Sequence, residues 1–412
     1  MDVAAVVHDR IVEFVRQVRA EHPSDRIYGA AVHEFYAEHG GVIYWPMIGV
    51  ASEESLASVT TERFDAEALR WSPADWPWQL DPNDADDALA EAITAAATAG
   101  DDAAWERAHR RFERDVVRAC TRARRTLIAD DVVGREFVAV AMDEAWELVP
   151  LCLSKAQVRK HFPELDEEQQ AIDRISALDR DEQVAELIGI IEAPVSPPPG
   201  SERATEWLRE VGAAAAPAVR AHLTTAREKW RWAKLLGELG DSSPDVITAL
   251  AAVVGNRRLG EADRAWAAAA LARLDRMDLL VPLLDRLPRE VAVRGLSAPY
   301  TSFRDLGVPT PLDYRPLDAA LTAAPDLHEP VCERLSPGSG FCEIRPDEIA
   351  SVLDGLDSRW AAVRRHALFV LADANLTDDQ RGRHRTALRN AECDPDPRLR
   401  DAVAVIRRRD SP

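Results

Sequence analysis

Residues Asp357–Asp373 read DSRWAAVRRHALFVLAD, and the role given to Arg364-Arg365-His366 inside them decides the fold of half the chain. A cationic triplet of this kind is either the heart of a reactive site or one turn of a structural repeat. Comparison along the chain favours the repeat. Aligned on the upstream run AWAAAALARLD, the stretch sets Arg264 on Arg364, Ala267 on Ala367 and Leu271 on Leu371, an offset of 100 residues. Lys229 and Leu236 take the same two positions 35 residues earlier, in EKWRWAKLLGELGD, and 36 residues after Arg364, Arg400 follows Leu399 as Arg364 follows Val363. Periods of about 35 to 40 residues, each made of two helices, define an α-solenoid. Lys229, Arg264, Arg364 and Arg400 are therefore read as repeat positions.

On a helical wheel, Trp360, Val363, Ala367, Val370 and Leu371 share one apolar arc. Arg364 falls inside it, and a guanidinium there needs a carboxylate. Asp394 or Asp396, capping an adjacent repeat, is the natural partner. Arg365 is expected in solvent and His366 at the margin of the buried stripe. Both are kept as candidates for contact with a partner.

Short polar punctuation separates the helices: GDSSPDV (Gly240–Val246), LDSRWAAV (Leu356–Val363), CDPDPRLR (Cys393–Arg400) and LTDDQ, with Thr377 as N-cap and Gln380 three residues on. DPDPRLR, and more loosely DSRWAAVRR, resembles the Asp-x-x-Pro-x-Val-Arg pattern of HEAT repeats. The resemblance covers about residues 170–412 and implies an all-α HEAT-like α-solenoid there. It lapses between Gly295 and Arg315. In that region RGLSAPYTSFRDLGVPTPLDYRP, residues 294–316, forms an irregular insertion holding Tyr300, Phe303 and Tyr314. Such a segment is either a functional loop, which makes these three rings candidate partner contacts, or a filler packed across its neighbours. A second glycine-rich turn is expected in SPGSGFCE, Ser336–Glu343.

Before the repeats, residues 1–165 change character. An amphipathic helix (Val7, Ile11, Phe14, Val18) precedes a β-hairpin divided by Gly40-Gly41. Pro46 has no N–H to give a ladder, so the second strand is expected at an edge or bulge. Helical patterning follows over Asp84–Ile128, then a strand in EFVAVAMD and a further helix, an α+β order. In RWSPADWPWQLD, Ser72, Pro73 and Asp75 start a short helix that Pro77 ends. Trp71, Trp76 and Trp78 around it are read as a plug on the core edge, with an exposed aromatic platform for a ligand as the alternative. YWPMIGVASEES, RWSPADWPW and FVAVAMDEAW together resemble domain-of-unknown-function family 4303, over about residues 1–165. The family supplies no known catalytic residues, so none are carried over. Residues 166–412 begin with one helical unit, and a proline-rich connector at 193–201 follows.

Charge limits the partners. The 412 residues carry 51 basic and 71 acidic side chains, net −20, which repels phosphate backbones in bulk, so nucleic acid is not expected. Residues 1–170 hold 33 acidic and 18 basic side chains, making the front half the acidic one. Only four basic residues are lysine, the coding bias of a GC-rich bacterial genome. Five widely spaced cysteines with no C-x2-C pair suggest reduced thiols in a cytoplasm. Neither a signal peptide nor an apolar run long enough to cross a membrane is expected.

Chemistry is not legible. H-E-x-x-H, a phosphate loop and G-x-S-x-G are missing, and Cys342 has no visible histidine partner. Acid clusters at Asp84/Asp86/Asp87, Asp101/Asp102 and Asp130/Asp131 stand where helices begin or end and read as caps. No catalytic, cofactor-binding or metal residue is assigned. The expectation is a non-enzymatic protein-binding or scaffold protein of a bacterial cytoplasm, of immunity type by analogy, whose solenoid recognises a protein partner, a basic one given the acidic front half. The alternative is an enzyme sited around His33, Glu34 and the tryptophan cluster; a helical-repeat nucleic-acid glycosylase is the less favoured third reading.

Overall fold

Asp2 opens the first helix, α1 (Val3–Glu21), by accepting from the Ala5 N–H at 3.2 Å, and Val7, Ile11, Phe14 and Val18 form its buried stripe. In the computed structural model, which describes residues 2–37, 40–60, 66–336 and 342–409, the chain divides into two units, Met1–Gln170 and Ala171–Pro412. The turn expected at 336–343 lies mostly outside the described residues.

The first unit is built on four strands in the order β3-β2-β1-β4. β1 (Ile27–His33) pairs antiparallel with β2 (Met47–Ser52), β3 (Trp78–Leu80) extends β2, and β4 (Val138–Met142) lies parallel to β1. The expected pairing of two strands across Gly40-Gly41 is present, but Pro46 does not put β2 at an edge. The ladder starts at His33↔Met47, one residue beyond the proline, so no hydrogen bond is asked of it. Around the sheet stand α2 (Glu53–Val59), α3 (Ala66–Arg70), α4 (Asp84–Thr98), α5 (Asp102–Ala129), α6 (Val149–Cys152), α7 (Lys155–His161) and the start of α8 (Pro163–Ser176). Helix α5 packs on both α1 and β4, placing Phe112, Val116, Cys120 and Leu127 in one core with Val138 and Val140. Asn83 and Asp86 cap α4 reciprocally, and Asp101 caps α5. Those acidic residues therefore serve helix ends.

Two glycines explain how tryptophan reaches the sheet. A Cβ at Gly29 would lie 3.1 Å from Trp71, and one at Gly49 would lie 3.2 Å from Trp76. Both indoles seat on bare backbone, edge-on to Tyr28, with Trp71 also 4.6 Å from Phe162.

The second unit is all helical among its described residues. After α8 come α9 (Arg180–Glu192), α10 (Ser201–Val211), α11 (Ala216–Thr225), α12 (Lys229–Leu239), α13 (Pro244–Gly255), α14 (Glu261–Arg273), α15 (Arg289–Ser297), α16 (Arg315–Ala323), α17 (His328–Arg334), α18 (Ile349–Gly355), α19 (Ala361–Ala372), α20 (Asp378–Ala391) and α21 (Pro397–Arg409). The second helices of the pairs, α10, α12, α14, α15, α17, α19 and α21, pack one on the next in that order. This is the repeat row. Before α15 the first helix is replaced by two short 3-10 turns, Met277–Leu279 and Val281–Leu283. The lapse expected between Gly295 and Arg315 begins at the end of α15, from which the chain runs through the 3-10 turns Ala298–Tyr300 and Ser302–Asp305.

The recurring cations all act in the same way, reaching back to main-chain carbonyls just before their own helices. Lys229 Nζ donates to Leu223 O, Thr224 O and Ala226 O at 2.8–3.0 Å, and Arg264 Nε to Val254 O at 2.9 Å. Arg364 Nη1 donates to Ser358 O at 2.8 Å, and Arg400 Nη1 to Asp394 O at 2.5 Å. Helix C-termini leave such carbonyls without intrahelical partners, so a cation there satisfies them and complements the dipole. Arg364 also meets the carboxylate predicted for it, Asp394, at 2.8 Å.

Arg364 and Asp394 are largely shielded, whereas Arg400 is exposed. Arg364→Ala is expected to lower unfolding free energy by about 1–3 kcal/mol, because it leaves Asp394 without its counter-charge and a turn carbonyl unpaired. Arg400→Ala is expected within about 0.5 kcal/mol of the parent. Urea denaturation of both variants checks the contrast.

Candidate functional site

The insertion at 294–316 is held by two buried arginines. Arg304, with no exposed surface, donates to Thr310 O at 3.0 Å, to Glu343 O at 2.8 Å and to Glu348 Oε1 at 2.7 Å. Glu348 also accepts from the Leu312 N–H and from Arg345. Burial pushes the Glu348 carboxyl up, but its backbone and guanidinium donors outweigh this and hold it below the usual carboxylate value. From α14, Arg273 donates to the carbonyls of Phe303, Leu306 and Val308. The segment is thus a filler tied across its neighbours.

That tie buries the rings proposed as partner contacts. Tyr300, Phe303 and Tyr314 all lie in the core, Tyr300 and Tyr314 stacked with centroids 5.3 Å apart. His366 is fully buried instead of marginal, because this aromatic pair covers its face of α19. Arg365 is half-buried, not solvated, and bonds Ser336 Oγ at 3.1 Å and Cys332 O at 3.3 Å. None of these offers a free side chain to a partner.

The structure does supply a histidine partner that the sequence left unidentified: Cys342 Sγ lies 3.7 Å from His366 Nε2. The geometry is not that of an activated nucleophile. Nε2 also lies 2.7 Å from Tyr300 O, and a carbonyl only accepts, so Nε2 carries the proton. The basic lone pair is on Nδ1, where the Tyr314 hydroxyl donates at 2.5 Å. The thiol faces an N–H, and among the described residues this contact gives it no base to take its proton. Burial drives the Cys342 thiol up to about 12 and His366 down to about 4, the Tyr300 carbonyl opposing the latter and the Arg304 charge adding to it.

In the first unit Trp71 and Trp76 are buried, the plug arrangement, and half-buried Trp78 lies 4.7 Å from the His22 ring. They form no platform. His33, also buried, bonds Gln79 Oε1 at 3.0 Å, while the Gln79 amide is spent on Pro73 O and Trp76 O. Burial lowers the His33 pKa against that hydrogen bond. Glu34 is half-buried with left-handed backbone, φ 61°. His33 is therefore anchored in the core. Among the described residues no cluster of three or more His, Cys, Asp or Glu could hold a metal ion, and no helix is long and apolar enough to cross a membrane.

One open groove, of about 480 Å³, lies along the repeat row, bordered by α14, α15 and the end of α17. Its wall is the half-buried indole of Trp266, with Lys234 Nζ 5.3 Å and Arg294 Cζ 4.8 Å from the ring centre and Phe303 edge-on at 5.2 Å. Ser297, Thr301 and Ser302 line it, and Arg334 closes the far side next to Glu333. A large aromatic flanked by two cations, with hydroxyls opposite, suits an anionic chain that carries apolar groups. A second groove of about 360 Å³ between α10 and α12 is lined by Arg209, Arg231 and Lys234 together with Glu202, Glu206 and Glu238, the last paired with Arg209 at 2.8 Å and Lys234 at 3.7 Å.

Sequence reading missed this groove. Trp266 was one signal, the single bulky residue in an alanine run, but Lys234 and Arg294 come from neighbouring repeats and only packing brings them to it.

Fold and site together define a mixed α+β domain followed by a helical-repeat array with an open groove. The model of the family described as a domain of unknown function (DUF4303) matches residues 7–144, within the first unit. No curated protein matches the chain. Among solved structures, human deoxyhypusine hydroxylase in complex with glycerol is similar at 18% identity over 55% of this chain and 73% of that one, with a TM-score of 0.29. A designed armadillo repeat protein in complex with the peptide (KR)4 is similar at 14% identity over 58% of this chain and 98% of that one, with a TM-score of 0.23.

Native His366 stays neutral down to about 4, whereas the unfolded side chain takes a proton near its ordinary value of about 6.5. Its folded pKa being the lower, the unfolded state gains protons first as pH falls. The stability tied to neutral His366 is whole above pH 6.5 and is lost toward pH 4, by roughly 3 kcal/mol at most. Urea midpoints at pH 7.5 and 5.0 are expected to fall further apart in the parent than in His366→Gln.

Proposed function

We propose that this chain is a non-enzymatic protein-binding scaffold, and that the groove at Trp266 takes an acidic, apolar-bearing segment of a protein partner. One observation carries the reading: a half-buried indole clasped by Lys234 and Arg294 on the open side of the repeat row. Stacked helical pairs present long, continuous surfaces suited to extended chains. Two candidate reactive groups, His33 and Cys342, are hydrogen-bonded or protonated within cores. The enzyme alternative therefore draws no support from them.

The array is further read as HEAT-like, on the strength of DPDPRLR and the Arg364–Asp394 pair that joins consecutive modules. Five free cysteines and the scarcity of lysine suit a bacterial cytoplasm. An immunity-type role is an analogy from architecture alone. A basic partner, expected from the acidic front half, does not suit this groove, whose exposed or half-exposed cations are Lys234, Arg294 and Arg334. Basic character in a partner belongs with the acidic first unit.

Calorimetric titration with a glutamate- and phenylalanine-containing decapeptide tests the groove. Trp266→Ala with Arg294→Ala is expected to weaken binding about tenfold or more. Equal affinity in parent and variant, or preference for an arginine-containing decapeptide that the substitutions weaken, overturns the reading.

A further inference from the structure

The loop joining β1 to β2 is itself a short antiparallel ribbon, closed by the bridge Ala37↔Ile43 and by the Tyr44 N–H donating to Tyr36 O at 3.0 Å. Side chains alternate across such a ribbon. On one face Ile43 and Trp45 are buried in the core of the first unit. The other face should be polar, and it is not: Tyr36, Val42 and Tyr44 are 62%, 39% and 47% exposed. Tyr36 and Tyr44 stand directly opposite each other across the ribbon, with Val42 two residues along on the same side.

The ribbon is held firmly from beneath. Thr94 of α4 accepts from the Ile43 N–H at 2.9 Å, and the Trp105 indole donates to Gly41 O at 2.8 Å. It is a fixed apolar platform.

Its flank along α4 is acidic, whereas the α5 flank at Trp105 is mixed, with Glu106, Arg107 and His109. Helix α4 carries Asp84, Asp86, Asp87 and Glu91 and no basic residue. Asp87 and Glu91 lie within about 60° of Thr94 around the helix axis, on the side that grips the ribbon. Both are exposed, and neither is ion-paired among the described residues. Glu34 stands at the ribbon's base. The same unit shows internally, among its described residues, what such a set of groups binds: the Arg70 guanidinium lies 4.7 Å over the Tyr28 ring while its fork grips Glu53 at 2.7 and 3.0 Å.

We propose that the Tyr36–Val42–Tyr44 face, with Asp87 and Glu91 beside it, docks an arginine-bearing segment of a protein partner. Guanidinium groups lie over the phenol rings and fork onto the carboxylates, while the stem methylenes cover Val42. This surface is independent of the Trp266 groove.

Binding of a fluorescent decapeptide of alternating arginine and serine to the full chain, followed by anisotropy in about 100 mM salt, tests it. Two double variants are compared with the parent: Tyr36→Ser with Tyr44→Ser, and Asp87→Asn with Glu91→Gln. All these side chains point to solvent, so melting temperature serves as the folding check. The tyrosine pair is expected to weaken binding about tenfold or more, and the carboxamide pair by about threefold or more. Trp266→Ala is expected to leave it unchanged, so that failure here and failure of the groove reading are separable. The proposal is overturned by parental affinity in the tyrosine variant, which would mean diffuse attraction to an acidic surface. It is overturned equally by no binding at all, or by concentration-dependent dimerisation of the parent that the tyrosine variant loses, which would make a second copy the occupant.

Discussion

A helix that stops inside a packed array leaves carbonyls pointing at its neighbour with nothing to accept. In the second unit the neighbour answers with a cation, and the array depends on that answer. Lys229, Arg264, Arg364 and Arg400 each rise from the start of a row helix and return to the turn just left behind. The bond fixes the angle between the two helices of a pair. Where the cation continues to a carboxylate in the next module, as Arg364 does to Asp394, it also sets the spacing between pairs. Exposure decides its worth: the same contact is nearly free of consequence at Arg400 and costly to lose where water is excluded.

The insertion follows the same rule with more carbonyls. Arg273 and Arg304 collect the main-chain oxygens of a segment that has almost no regular structure of its own. This is how an irregular stretch can lie buried without orphaned backbone groups. Its tyrosines became core for that reason, and His366 and Cys342 went with them. Polarity at Arg304, His366 and Cys342 therefore reports structure, whereas Arg294, Thr301 and Ser302, at the start of the same insertion, line the groove beside Trp266.

Periodic features were legible in the sequence, and convergent ones were not. The helical row, the recurring cations and the Arg364 carboxylate follow from spacing, because spacing along a helix maps directly to direction. The strand pairing around Gly40-Gly41 was equally plain. Pro46 misled because composition does not mark the residue at which a ladder begins. His366 misled because a wheel knows only its own helix, and the insertion that covers it lies more than fifty residues away. Trp266 was visible as an oddity, but the cations on either side of it come from separate repeats. The tyrosine ribbon was hidden by its own loop, which composition alone reads as a turn.

Arrays of this kind ordinarily behave like a zipper, each unit holding only the next. The insertion breaks that locality. Through Val308 it bonds Glu238 on α12, through Arg273 it holds α14, and through Glu348 it reaches the start of α18. Units well separated in the chain are thereby clamped to a common strap. Fraying that starts at either end should stall at this clamp, so the middle of the array lets go all at once or not at all, and its curvature there is rigid while the flanks remain springy.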